Sequence, residues 1–146
     1  MIEKRCSIIS VWILSTLLFS SSSCARQPST NRNAAIDNST ITRAFETKSS
    51  NIQVEGEGTV DRLLADDLDG GRHQRFIIRL PSGQTILIAH NIDLAARIAD
   101  LRKGDTVSFY GEYVWNAQGG TVHWTHHDPQ GRHLSGWLKH NGQTYQ

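Results

Sequence analysis

The sequence predicts a small all-β domain: a five-stranded OB-fold-like Greek-key barrel with one helix between strands three and four and a C-terminal hairpin. Three observations lead to this prediction. Apolar and polar residues alternate from about residue 59 onward, which is the period of a half-buried strand. Turn residues separate the alternating runs. One segment between the third and fourth runs loses the alternation, and a helix occupies that place in an OB barrel. A generic β-sandwich is the alternative.

The strands are predicted from their two alternating faces. In the second run, Phe76 and Ile78 share one face, and His73 and Arg75 share the other. Gly111 permits the bend that a closed barrel needs in the fourth run. A closing hairpin is expected over residues 136–145, around Asn141-Gly142. The five predicted strands are residues 59–65, 73–80, 85–91, 106–115 and 121–127.

The segment without alternation, residues 93–102, has apolar residues at helical spacing. Asn91 or Asp93 is suited to cap the start of a helix, and Gly104 is suited to end it. The spacing therefore predicts a helix here, between strands three and four.

Residues 1–24 have the order of a secretory signal peptide, in which a basic start precedes an apolar run and then small residues. The apolar run, residues 8–19, is shorter than the about 20 apolar residues of a membrane span. Cys24 stands where a bacterial lipoprotein signal places its lipidated cysteine, although Ser21 stands where such signals usually carry leucine. Ordinary cleavage after Ala25 is the alternative. We therefore expect export to the periplasm, with the membrane as a partner through an acylated Cys24.

Residues 25–50 are predicted to be a tether that is too polar to pack, apart from one short helix. That helix is indicated by Ile41, Ala44 and Phe45 at helical spacing, behind a cap at Asn38 or Ser39. The barrel domain is then residues 51–146.

The charge balance argues against general capture of nucleic acid. The whole chain holds 15 basic and 14 acidic residues, and loss of residues 1–24 removes Lys4, Arg5 and Glu3 to leave 13 of each. A protein that binds nucleic acid through its phosphates needs a basic face. The same cleavage removes Cys6, so no pair of cysteines remains for a disulfide.

The predicted topology gathers histidines and carboxylates at one end of the barrel. Strands three and five of an OB-fold are parallel neighbours, so both finish at that end, and strand two begins there. His90 and His126 are in phase with the inward residues of their strands, and a buried imidazole is costly unless both nitrogens have partners. The residues that we expect at this rim, as a ligand-binding set, are His73, His90, Asn91, His126, His127 and Asp128.

Several interpretations of this rim remain open. Its histidines are either a structural hydrogen-bond network or a site for a small ligand or metal ion. The metal-binding version uses His90, His126, His127 and Asp128, since imidazole and carboxylate suit zinc, copper or nickel. The leading hypothesis is a non-catalytic binding module of the cell envelope. The alternatives are a metal-assisted hydrolase at the same cluster and an OB-type nucleic-acid binder that uses Arg75 and its neighbours on strand two.

Several unusual blocks of the sequence resemble a known family. They include Arg72-His73-Gln74-Arg75-Phe76, Ala89-His90-Asn91-Ile92-Asp93, Gly111-Glu112-Tyr113-Val114-Trp115 and His123-Trp124-Thr125-His126-His127. On these blocks the chain is similar to the bacterial exported family labelled domain of unknown function 3465, over roughly residues 50–146. The resemblance implies one domain in an envelope setting. It implies no substrate, cofactor or catalytic residue.

Overall fold

The computed structural model describes residues 36–146, so the predicted signal peptide, Cys24 and residues 25–35 of the predicted tether lie outside the described residues. In this part of the chain, no helix has both the length and the apolar character of a membrane span. The described elements, in chain order, are α1 (Ser39–Glu46), β1 (Ile52–Leu63), β2 (His73–Arg79), β3 (Thr85–Asn91), β4 (Thr106–Val114), β5 (Thr121–His123), β6 (Trp137–His140) and β7 (Gln143–Tyr145).

Five strands form a closed barrel, as the sequence predicts. Strands β1, β2 and β3 form an antiparallel meander, and β5 lies between β3 and β4. The pairing of β3 with β5 is parallel, and the pairing of β1 with β4 closes the barrel. Strands β6 and β7 extend the sheet from β4 as the predicted C-terminal hairpin. The barrel is filled by large side chains from every strand, among them Phe76, Ile88, Phe109, Tyr113 and Val122.

Strand β1 begins seven residues before the start of the predicted strand, and the prediction missed these residues because glycines occupy two of the inward positions. A Cβ at Gly56 would lie 2.3 Å from Cζ of Phe109 and 2.6 Å from Cδ1 of Ile41, so only glycine fits there. Glycine is uncommon in strands, and it hides the alternation of this segment in the sequence.

The predicted helix over residues 93–102 is absent from the structure, and this part of the prediction is wrong. The segment is a series of turns between β3 and β4. Its first turn makes one helical bond, from the Ala95 N–H to the carbonyl of Asn91 (3.2 Å), but buried side chains of the barrel strands bond the backbone that follows. The Gln74 side chain donates Nε2–H to the carbonyl of Ile98 (3.0 Å) and accepts the Ile98 N–H (2.9 Å). Ile98 and Leu101 are buried in the core, so the segment packs against the barrel without forming a helix.

The short helix before the barrel is confirmed as α1, with Asn38 as its N-cap residue. It packs against the barrel, since Ile41 and Ala44 are buried in the same core as the strands. The Asn38 side chain donates to the carbonyl of Glu57 and accepts its N–H, at 3.1 and 3.0 Å. The Trp115 indole N–H also donates to the carbonyl of Phe45 (3.1 Å). This end of the predicted tether is therefore part of the folded domain.

Candidate functional site

His90 is fully buried at the end of β3, where the parallel pairing of β3 with β5 brings the segment after β5 against it. Nδ1 of His90 lies 2.8 Å from Oγ1 of Thr125, and Nε2 lies 3.2 Å from the carbonyl oxygen of Ala96. A neutral ring satisfies both contacts if Nε2–H donates to Ala96 and Nδ1 accepts the hydroxyl of Thr125. The pKa of His90 is lowered to about 4, mainly by burial; nearby His126 and His73 act in the same direction, and the hydrogen bonds to Ala96 and Thr125 oppose them. His90 is therefore a neutral, fully bonded side chain at neutral pH.

His126 is also buried, but the reason differs from the strand alternation that predicted it. Strand β5 ends at His123, and Trp124 then adopts a left-handed backbone conformation with φ of 53°. A bulky residue in this region costs about 1–3 kcal/mol and needs support from its surroundings. The turn at Trp124 places both Thr125 and His126 inside. Nδ1 of His126 then contacts the carbonyl oxygen of His127 at 2.8 Å.

The other predicted rim residues hold turns together. Three backbone N–H groups, those of Gln130, Arg132 and His133, donate to the carboxylate of Asp128 at 2.9, 2.6 and 2.9 Å. The first of these lowers the pKa of Asp128 most, and the other two act in the same direction. The side-chain oxygen of Asn91 accepts the Asp93 N–H in a similar turn. His127 is exposed, with Nδ1 3.0 Å from Oγ of Ser135.

The predicted rim residues therefore form an inner and an outer group, and their side chains do not meet at one site. His90 and His126 lie inside it, whereas His73 and His127 lie on its outer surface. Within residues 36–146, no three histidine, cysteine, aspartate or glutamate side chains are grouped closely enough to hold a metal ion. The partners of His90 and Asp128 are protein groups, so the geometry favours the structural network for these two residues.

An open groove lies on the outer surface of the barrel, beside the rim. It has a volume of about 420 Å³, which is within the usual range of about 300–1,000 Å³ for small-ligand sites. Leu87 and Ala89 of β3 and Val114 of β4 form an aliphatic floor on either side of β5, whose Thr121 lies between Leu87 and Val114. The polar residues that line the groove are Asp67, His73, Arg75, Thr121 and His123. The face of strands two and three, on which this groove lies, is the one that OB barrels use for their ligands.

His123, the last residue of β5, lines one wall of the groove. Its Nε2 is buried without a hydrogen-bond partner among the described residues, and Oε1 of Glu112 lies 3.4 Å away. Burial lowers the pKa of His123, and the nearby Glu112 carboxylate opposes that effect. The charges of His133 and His73 lie close enough to lower the pKa of His123 as well. His133 in turn stacks on the ring of Trp124, with 3.5 Å between ring centroids.

The comparison with known families agrees with the resemblance found in the sequence. The family described as protein of unknown function (DUF3465) matches residues 25–146. The chain belongs to this family. No curated protein matches the chain significantly. Membership of DUF3465 supplies no substrate or catalytic residue, so any function for this chain has to be argued from its own groove and rim.

Four arginines of this DUF3465 protein are paired with aspartates, and of these four only Arg75 lines the groove. Arg72, Arg75, Arg79 and Arg97 lie within 4 Å of Asp93, Asp67, Asp61 and Asp66, respectively. A face on which each of these positive charges has a neighbouring negative one attracts a polyanion weakly. The structure therefore does not favour the nucleic-acid alternative on this face.

Sequence reasoning identified His73 and Arg75 as outward residues of strand two but did not recognise the groove. A signal was present: in β3, Leu87 and Ala89 alternate with the inward residues Ile86 and Ile88, which places two apolar side chains on an outer face. Trp124, His133 and Thr125 were also missed as parts of the rim. Their positions depend on the left-handed turn at Trp124, which no local pattern of the sequence predicts.

Proposed function

We propose that this protein is an exported small-ligand-binding module of the cell envelope, which holds its ligand in the groove on the outer face of β2, β3, β5 and β4. The observation that supports the proposal most is the composition of that groove. An aliphatic floor formed by Leu87, Ala89 and Val114 is surrounded by a few polar groups of both charges. Ligand sites are commonly lined in this way, with apolar area for affinity and a few polar groups for orientation.

The export part of the proposal rests on residues 1–25, whose order is that of a signal peptide. The family match begins at residue 25, next to the proposed lipidated Cys24, which is compatible with cleavage there. Localisation to the periplasm at a membrane surface would bring the groove to ligands of that compartment.

A thermal-shift screen of the purified chain tests the binding proposal. The screen uses amino acids, sugars, nucleosides and carboxylic acids, and at least one class is expected to raise the unfolding midpoint. A ligand at 100 times its Kd stabilises a folded protein by about 2.7 kcal/mol, which is measurable. We expect Ala89→Trp, which fills the floor of the groove, to abolish the shift.

The matched control is Glu55→Trp, which adds the same ring at an exposed position of β1 outside the groove. This variant is expected to respond to the ligand as the unmodified chain does. A screen without any stabilising compound, or a shift that Ala89→Trp leaves intact, would contradict the proposal.

A further inference from the structure

We infer that the ligand of the groove is an aliphatic α-amino acid, with its carboxylate on Arg75, its ammonium group on Asp67 and its side chain on the aliphatic floor. This inference rests on the proposed function and adds the chemical class of the ligand. It follows from three features of the groove: its opposite charges, the way in which they are held, and the floor beneath them.

The two opposite charges face the same open space. Nη1 of Arg75 lies 3.4 Å from Oδ2 of Asp67, the longest of the four arginine–aspartate contacts in the described residues. The two side chains are 34% and 41% exposed, so a ligand can reach both. An α-amino acid carries a carboxylate and an ammonium group on the same carbon atom. It can therefore offer each of these side chains a charge-assisted hydrogen bond, which is stronger than a neutral one.

The protein holds both charges in position before any ligand arrives. The backbone N–H and carbonyl of Asp67 are each bonded to His73 at 2.9 Å, which fixes the loop against β2. The N–H of Asp69 donates to Oδ1 of Asp67 (3.2 Å), and Nε of Arg75 donates to the carbonyl of Ala65 (3.1 Å). A pair that is already oriented loses less conformational entropy when it binds a ligand.

The floor selects the side chain of the ligand. Leu87 and Ala89 from β3 and Val114 from β4 are aliphatic, and no aromatic ring lines the groove except the imidazoles of His73 and His123. A branched aliphatic side chain removes this apolar area from water, which contributes about 25 cal/mol for each Å² buried. A zwitterion without such a side chain would use only the two charges.

The chain also carries a matched pair with the same chemistry outside the groove. Nη2 of Arg79 lies 3.2 Å from Oδ1 of Asp61, and neither residue lines the groove. Arg79 and Arg75 both point outward from β2. Substitutions of the Arg79–Asp61 pair therefore control for general effects of removing a surface charge.

Calorimetric titration of the purified chain with four compounds tests the inference. L-Leucine carries all three features, 4-methylpentanoate lacks the ammonium group, 3-methylbutylamine lacks the carboxylate, and glycine lacks the aliphatic side chain. We expect leucine to bind tightest and each other compound to bind about tenfold or more weakly, since each loses a charge-assisted bond or the floor contact. Equal binding of leucine and 4-methylpentanoate, or of leucine and 3-methylbutylamine, would overturn the inference.

Single substitutions test which side chain binds the carboxylate of the ligand and which binds its ammonium group. Arg75→Gln is expected to weaken the binding of leucine and 4-methylpentanoate about tenfold or more and to leave the affinity for 3-methylbutylamine unchanged. Asp67→Asn is expected to weaken the binding of leucine and 3-methylbutylamine by a similar factor and to leave the affinity for 4-methylpentanoate unchanged. Arg79→Gln and Asp61→Asn should change none of the affinities. Leucine binding that Arg75→Gln leaves unchanged would overturn the inference.

The two proposals can fail separately. Suppose that none of the four compounds binds, but another compound in the screen binds the unmodified chain and not the Ala89→Trp variant. The amino-acid inference then fails, and the proposed binding function stands. If Ala89→Trp affects no compound at all, the groove itself is not the site and both fail.

Discussion

His90 is the residue whose charge state is most constrained by the fold. Its ring is sealed inside the barrel, and its pKa is lowered from 6.5 to about 4, mainly by burial. The unfolded chain binds a proton at His90 below about pH 6.5, whereas the folded chain does not until about pH 4. The proton therefore favours the unfolded state, and the contribution of the neutral ring is present above pH 6.5 and is lost as the pH falls.

We predict that the free energy of unfolding decreases by about 3 kcal/mol between pH 7 and pH 4 through His90 alone. Urea denaturation over this range measures the decrease. His90→Gln keeps an amide that can donate to Ala96 and accept from Thr125, but it does not titrate. This variant is expected to lose most of the pH dependence.

Four other titratable groups also contribute to the pH dependence of stability. His123 also has a pKa lowered by burial, so a smaller dependence should remain in His90→Gln. The pKa values of Asp93, Asp105 and Asp128 are lowered by hydrogen bonds. The stability that these carboxylates contribute to the folded state is therefore lost only as the pH falls below about 4. A His90→Gln variant that is as sensitive between pH 7 and pH 4 as the unmodified chain would contradict the assignment.

At the scale of elements, the segment between β3 and β4 shows how side chains from elsewhere decide a local conformation. Its sequence has helical spacing, yet Gln74 bonds both backbone groups of Ile98 and His90 contacts the carbonyl of Ala96. These bonds come from residues 24 and 6 positions away in sequence. A local pattern contains no information about them, and tertiary contacts readily outweigh helix propensity.

We predict that Gln74→Ala destabilises the protein by about 3 kcal/mol, since it leaves the N–H and carbonyl of Ile98 without their partners, and each buried unpaired group costs about 1–3 kcal/mol. Chemical denaturation measures the loss. Hydrogen exchange should show faster exchange of the amides in residues 92–102. Gln118→Ala, at an exposed turn position, is the control and should change stability by less than about 0.5 kcal/mol. Equal effects of the two substitutions would exclude the Gln74 side chain as the support of this segment.

The strands were predictable where alternation and turn chemistry agree. Strand β3 has the predicted bounds, and β2, β4 and the closing hairpin differ by a few residues or less. The prediction failed where glycine replaced inward apolar residues in β1 and where the left-handed turn at Trp124 ended β5 early. The candidate site was also predictable only in part. The parallel pairing that brings His90 to the segment after β5 was predictable from topology, whereas the groove depends on which outward side chains remain partly uncovered after the barrel closes.

At the scale of the whole molecule, the charge balance bears on how the proposed lipoprotein would be held at a membrane. Residues 25–146 contain equal numbers of acidic and basic residues. Attraction to an anionic membrane surface requires an excess of basic residues near it, each contributing about 1 kcal/mol. Next to Cys24 the chain carries Arg26 and Arg32 and no acidic residue before Asp37, which corresponds to about 2 kcal/mol, so the proposed acyl chains on Cys24 would have to supply most of the attachment.

We therefore predict that Cys24→Ala moves the protein from the membrane fraction to the soluble fraction of the cell envelope and abolishes its labelling by a palmitate analogue. Export itself should continue, because cleavage after Ala25 remains available to the signal peptide. Cys6→Ala, which changes a cysteine at the start of the signal, is the matched control and should leave both labelling and fractionation unchanged. If the Cys24→Ala protein stays with the membrane, or the mature chain begins at Arg26 in the unmodified protein, acylation of Cys24 does not hold it there.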